Sequence, residues 1–242
     1  MSWNGLLKRR SGVAEILGAF ALYGVYEVVR GFGGHDIGAA MLNTDKIVGL
    51  EEHLGFFWEK TIQDVSLSLP GADATLGIAY MALHFLGTAL FLVWAHRRRP
   101  DAFPLLRTAI VFATALALIG YLAFPAAPPR LAELGFRDAV SDGAGVNLSS
   151  DLLGALYNPV AAVPSLHFGY AVIVGAGLAL FATRRWVRWV GIAYPFVMLY
   201  VIVATGNHFF VDAVAGGLVV ATAWWLARLV TERRARLAPS YA

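Results

Sequence analysis

Ala161-Ala-Val-Pro-Ser-Leu-His167 and, about forty residues later, Gly206-Asn-His-Phe-Phe-Val-Asp212 each set a histidine where an apolar run begins. The runs that follow, 164–183 and 208–229, are near the ~20 residues that carry an α-helix across a bilayer. His208 and Asp212 are four residues apart and share a helix face, so the carboxylate can orient the imidazole and balance its charge. Pro164 suits a first helical turn, and Ser165 offers a hydroxyl there. The unpaired N–H groups and positive dipole end of a helix start attract anions, so two such starts brought together would cradle a phosphate.

Working outward, the chain of 242 residues is 58% hydrophobic and 14% charged, with a mean hydropathy of +0.63. That leaves too little polar surface for a soluble globule, and the expected fold is an all-α polytopic membrane bundle. Apolar runs at 13–32, 72–95, 102–126, 164–183, 186–206 and 208–229 predict about six transmembrane helices. Glu15, Glu27 and Arg30 weaken the first, and Lys8-Arg9-Arg10 precedes it as in a signal peptide. No small-residue cleavage site follows, so the segment reads as an anchor. No linker or repeat interrupts the chain, which reads as a single domain over 1–242.

The distribution of basic residues predicts orientation. Fourteen of the 19 Lys and Arg residues lie in the N-terminus (Lys8, Arg9, Arg10), the second-to-third connection (Arg97, Arg98, Arg99, Arg107), the fourth-to-fifth connection (Arg184, Arg185, Arg188) and the tail (Arg228, Arg233, Arg234, Arg236). These ends are expected in the cytoplasm of a cell-membrane protein. The sequences around His167 and His208 then fall on the exoplasmic side. The same placement explains the pI near 9.3 through topology and anionic lipid, without nucleic acid. Cysteine is absent, which excludes disulfides and thiolate chemistry.

Two exoplasmic segments carry the irregular sequence. Residues 37–69 mix Ile37, Met41, Ile47, Leu50, Leu54, Phe57 and Trp58 with Asp45, Glu51, Glu52 and Glu59, which predicts one or two amphipathic interfacial helices roofing a lipid entrance. Residues 124–163 read as a loop with a short helix near Leu131 to Leu134.

The two histidine motifs resemble those of the type-2 phosphatidic acid phosphatase superfamily, Pro-Ser-x-His and a later His-x-x-x-Asp. Leu166 before His167, the Ala127-Pro-Pro-Arg130 segment and the Thr205-Gly-Asn-His208 lead-in are similar to the inositol phosphorylceramide synthase-type phosphotransferases and their bacterial relatives. The likeness covers roughly residues 75–220. It implies that His208 attacks the substrate phosphorus, Asp212 supports it, and His167 protonates the leaving oxygen. The residues suggest the same roles, since an adjacent carboxylate stabilises the charge that develops on an attacking imidazole. A phosphohistidine would follow, resolved by water or by a second alcohol. The implied substrate is a phospholipid or polyprenyl phosphate, met among membrane lipids, with inositol phosphate a candidate for the transferred group. The likeness implies no metal or other cofactor.

The sequence departs from the superfamily where phosphate is bound. The Ser-Arg pair usual upstream of the nucleophile is replaced by Val201 and Ile202, and Arg99-Pro100 has Leu92 where a lysine would stand. Arg130 is the expected substitute, since a guanidinium offers two donors to a phosphoryl group and Pro128 and Pro129 stiffen its approach. Interfacial snorkelling is the plainer reading of Arg130. Ser165 is equally a helix cap, and Asn207 stands beside the nucleophile as a candidate substrate ligand. Tyr80 and His84 share a face of the second span and either line the cavity or hydrogen-bond between helices. Asn158 reads as a turn residue and His35, His53 and His96 as solvated. The acidic residues Glu51, Glu52, Glu59, Asp138, Asp142 and Asp151 show no metal-ligand spacing. Hydrolysis of phosphatidate or polyprenyl phosphate is the alternative within the same chemistry. A six-span transporter relaying protons through His84, His167 and His208 is the alternative of another class.

Overall fold

Runs of Leu, Ala, Val and Ile can cross hydrocarbon only by satisfying their main-chain N–H and C=O groups internally, which for a single chain segment means a helix. The computed structural model describes residues 37–144 and 160–237, together with Gly18 and Gly24, and places helices on these runs. They are α1 (Ile37–Leu54), α2 (Glu59–Leu67), α3 (Ala72–Met81), α4 (Thr88–Arg98), α5 (Phe103–Ala123), α6 (Ala139–Ala144), α7 (Leu166–Phe181), α8 (Arg185–Ala204) and α9 (Phe210–Leu237). A π-helical segment, Ala82–Gly87, joins α3 to α4 without a break. No strand occurs among the described residues; the nearest thing is one isolated bridge between Ala126 and Ala161. The described residues from 37 onward form one compact unit.

Four helices among the described residues are long and apolar enough to span: Ala72–Arg98, Phe103–Ala123, Arg185–Ala204 and Phe210–Arg234. The protein is an all-helical integral membrane protein. The expected run at 13–32 lies outside the described residues. The expected fourth span is shorter than its apolar run, because Pro164 stands ahead of the helix and Ser165 caps it, leaving 16 residues in α7. At ~1.5 Å per residue α7 rises about 24 Å, less than the ~30 Å of a hydrocarbon core.

Helices stand where amphipathic interfacial ones are expected, but the most deeply buried side chains of α2 are polar. Its polar stripe Glu59, Gln63 and Ser66 is buried, and Val65 faces outward. α1 buries Ala40, Thr44, Ile47, Val48 and Glu51. The loop after α5 is drawn in by main-chain pairing, with Ala126 N–H donating to Val160 O at 2.9 Å and Ala162 N–H to Ala126 O at 3.1 Å. The Thr44 hydroxyl accepts the Ala127 N–H at 2.9 Å, tying the same loop to α1. Where a short helix was expected at 131–134, the chain forms only a 3₁₀ turn, Pro129–Leu131. Consecutive prolines remove two N–H donors, and Glu133 at φ 55° ends the turn.

α7 packs between α8 and α9, and α9 also lies along α5. The chain reverses between α7 and α8 over Ala182–Arg184, and Arg99 Nε donates to the Phe181 carbonyl at the same end. The basic ends of α4, α7–α8 and α9 therefore gather at one end of the bundle, and His167 and His208 lie at the other.

Candidate active site

The C-terminus of α8 runs into the loop that carries His208. Gly206 takes the left-handed conformation (φ 70°) that ends many helices, with its N–H on Val203 O at 2.9 Å. Asn207 and His208 both donate their N–H groups back to Ile202 O, at 3.0 and 3.2 Å, which folds the loop tightly against the helix it leaves. Val201 and Ile202, where the superfamily pattern has Ser-Arg, are core residues.

Asp212, in the first turn of α9, is fully buried and His208 is 5% exposed. Asp212 Oδ2 is 3.2 Å from His208 Nδ1 and accepts the Phe209 N–H at 2.9 Å. The carboxylate thus holds both the ring and the backbone beside it, leaving Nε2 of His208 as the nitrogen not used in that bond.

His167 is the second residue of α7, and its ring centroid is 5.6 Å from that of His208. Two close approaches set this spacing. The Ser165 N–H donates to Asp212 O at 3.0 Å, and Gly216, one turn further along α9, lies against the Ser165 carbonyl where a β-carbon would collide. Tyr80 stacks on His167 at 4.1 Å, with its hydroxyl 3.5 Å from Nδ1. His84 lies 4.0 Å from His167 and 5.2 Å from Tyr170, whose hydroxyl pairs with Thr114 at 2.6 Å. His84 sits on the π-helical segment, a device common at functional sites. Nε2 of His167 and Nδ1 of His84 are buried with no hydrogen-bond partner.

Other expected ligands have protein partners. The Ser165 hydroxyl accepts the Phe168 N–H at 3.3 Å, so it caps α7. Asn207 is engaged at both ends of its amide, accepting from Arg130 Nε at 3.0 Å and donating to Thr205 Oγ1 at 2.9 Å. Arg130 also donates its backbone N–H to Gly206 O at 2.9 Å and pairs with Asp138 at 3.1 Å. It therefore bonds the residue next to His208, oriented by the loop it supports.

The expected pair of anion-binding helix starts is corrected at α9. Phe210 N–H donates to Glu59 Oε1 at 2.9 Å, Val211 N–H to Glu51 Oε1 at 2.8 Å, and Phe209 N–H to Asp212. Carboxylates already occupy the donors that a phosphate would use. Glu51 and Glu59, expected on the polar faces of amphipathic helices and without metal-ligand spacing, are both fully buried. A signal for Glu51 was present: it continues the inward stripe of Ala40, Thr44, Ile47 and Val48 at helical spacing. For Glu59 the apolar residues of α2 form no single inward face, since Ile62 and Leu67 are half-buried against the core while Val65 is exposed, so a search for a buried apolar face misplaces it. Burial pushes the Glu51 carboxyl up to about 9, reinforced by its hydrogen bond to Glu59 and opposed by the Val211 N–H. Among the described residues no group of three or more His, Asp or Glu is arranged to hold a metal ion. A shallow depression of about 450 Å³ beside Arg185, Arg188 and Trp189 lies at the other end of the bundle, away from the histidines.

A family model described as the PAP2 superfamily matches residues 45–226. The chain belongs to that superfamily. No curated protein and no solved structure is significantly similar to it. Membership supports a phosphatase- or phosphotransferase-type activity on lipid phosphate, and the match takes in α2 and most of α1 as well as the two histidine motifs.

Proposed function

We propose that the protein is a lipid phosphotransferase in which His208 attacks the phosphorus of a lipid-borne phosphate or phospho-headgroup. The P–O bond to the leaving group breaks as the Nε2–P bond forms, and His167 gives its proton to the departing oxygen. A second alcohol, or water in the phosphatase variant, then attacks the phosphohistidine and returns a proton to His167. The observation that carries this reading is the His208–Asp212 bond at 3.2 Å with the His167 ring 5.6 Å away, close enough for both rings to reach one phosphoryl group. Asp212 sets the tautomer and offsets the positive charge that grows on His208 during attack. Arg130 is the proposed phosphate clamp, in place of the arginine that Ile202 replaces. Its neighbours Asn207 and Asp138 hold it beside the nucleophile loop. Leu166 and the Ala127-Pro-Pro-Arg130 segment favour the inositol phosphorylceramide synthase-like branch and an inositol phosphate headgroup. The gathering of basic helix ends at the opposite end of the bundle supports an exoplasmic site with both termini in the cytoplasm.

A proton-relay transporter is the second reading, favoured by the sequence of rings His84, His167 and His208 at 4.0 and 5.6 Å. One experiment separates the two. Purified protein incubated with phosphorus-labelled phosphatidate, phosphatidylinositol or polyprenyl phosphate, then quenched in alkali, should carry acid-labile label that is absent from His208→Gln. Mass spectrometry of the products, with and without inositol, diacylglycerol or ceramide, then distinguishes transfer from hydrolysis. No label and no product from any of these lipids would reject the phosphotransferase reading.

A further inference from the structure

Glu51 and Glu59 come from two different interfacial helices and converge on the first turn of α9, more than 150 residues along the chain. Each uses Oε1 to accept a backbone N–H. Each leaves Oε2 buried without a donor. The two side chains are within hydrogen-bonding reach of one another. Two ionised carboxylates cannot sit in contact away from water, and a buried acceptor with no donor is costly. One proton held between the two Oε2 atoms satisfies both at once.

We propose that Glu51 and Glu59 share a single proton and act as a carboxyl–carboxylate clamp that positions the nucleophile-bearing start of α9. The clamp rests on the assignment of His208 as nucleophile, since positioning α9 matters through His208 and Asp212. Its singly negative form caps the positive end of α9 and fixes the orientation of Phe210 and Val211. The titratable groups facing the pair are the two glutamates themselves, Asp212 on α9 and, through Asp212, His208. Loss of the shared proton would set a second negative charge against Asp212.

The sign of the pH dependence follows. Glu51 is raised from an ordinary value of 4.5 to about 9, so the native state holds a proton that the unfolded chain releases. The associated stabilisation is complete below the ordinary value and is lost as pH rises through about 9.

An amide mimics the protonated partner, and this makes the clamp testable. In Glu51→Gln, Oε1 still accepts the Val211 N–H while Nε2 donates to Glu59; Glu59→Gln is the mirror case. With both changed, each amide oxygen serves its backbone N–H and two NH₂ groups face each other. Each single Gln variant is therefore expected to keep kcat within about threefold of wild type, and the double variant to lose about tenfold or more with KM unchanged. Glu51→Ala should fall as the double variant does, so that Gln rescues it.

Two readouts do not depend on the chemistry. In purified full-length protein, the infrared carbonyl band of a protonated carboxylic acid, shifted in D₂O, should vanish in either Gln variant. The fall of Tm between neutral pH and pH about 10 should flatten in Glu51→Gln. A band and an alkaline Tm fall that persist in both single variants would overturn the shared proton, even if no substrate has been found. Additive losses in the double variant would do so as well. A divalent-cation requirement that Glu51→Gln abolishes would replace the proton by a bound cation. A shared proton with no change of kcat in the double variant would overturn the positioning role while leaving the proposed phosphotransferase intact.

Discussion

Gly216 lies directly against the Ser165 carbonyl, so close that a β-carbon on it would overlap that oxygen. The contact joins the cap of α7 to the second turn of α9 and brings His167 and His208 together. Gly216→Ala should wedge the helix starts apart while the rest of both helices stays in register. A displacement of ~1 Å at reacting groups costs about a hundredfold, so kcat is expected to fall by at least tenfold with near-native circular dichroism. A folded Gly216→Ala protein with wild-type kcat would show that this approach does not set the histidine spacing.

His208→Gln should abolish turnover and labelling, because no other imidazole stands beside Asp212. Asp212→Asn should lose ~10³ to 10⁴-fold, since an amide cannot hold the required tautomer or offset the developing charge. His167→Ala should cost ~10² to 10⁴-fold, and less for a substrate whose leaving group is a good one, which needs no proton. Steady-state rates with lipid and activated aryl phosphate substrates check all three. Retention of more than about a tenth of the wild-type rate in His208→Gln would move the nucleophile elsewhere.

Arg130→Lys should raise KM for the phosphorylated lipid by about tenfold, because a point charge cannot span Asn207 and two phosphoryl oxygens as a guanidinium does. The same assays in excess EDTA should show undiminished activity, since the proposed chemistry runs through His208, His167 and Arg130. Loss of activity restored by magnesium would give the acidic residues a catalytic role instead.

Sidedness is tested by cysteine labelling, with no background thiol in the native chain. Gly143 is a poor site, because a side chain there meets the backbone of Asp73 and Ala74. Asp142 is exposed and is the better choice. Asp142→Cys should react with a membrane-impermeant maleimide on intact cells, and Arg184→Cys only after permeabilisation. The reverse pattern would move the proposed chemistry to the cytoplasmic leaflet.

Much of this architecture was legible in the order of the residues. The helices at 72–98, 103–123, 185–204 and 210–234 follow from apolar length, which depends only on neighbours along the chain. The spacing of His208 and Asp212 predicts a shared helical face; the structure brings them 3.2 Å apart with His208 in the loop just ahead of α9. Pro164 and Ser165 marked a helix start, although the cap cut that helix shorter than its apolar run.

Contacts across the bundle were decided only by the tertiary structure. Nothing in the local pattern distinguished Ser165 as a cap from Ser165 as a ligand, or disclosed that Asn207 would be engaged by Arg130 and Thr205. Nor did it turn the polar stripe of α2 inward, where Glu59 meets α9, Gln63 the Arg137 and Ala204 carbonyls and Ser66 the Tyr200 hydroxyl, because those partners lie from 74 to 151 positions away. The sequence by itself therefore determined the spanning helices, their basic ends and the closeness of His208 and Asp212 along the chain, which arise from composition and short-range spacing. Only the folded chain decided that His84 and Tyr80 reach His167 and that Glu51 and Glu59 cap α9, since those contacts join residues from 83 to 160 positions apart through packing that no short window of sequence contains.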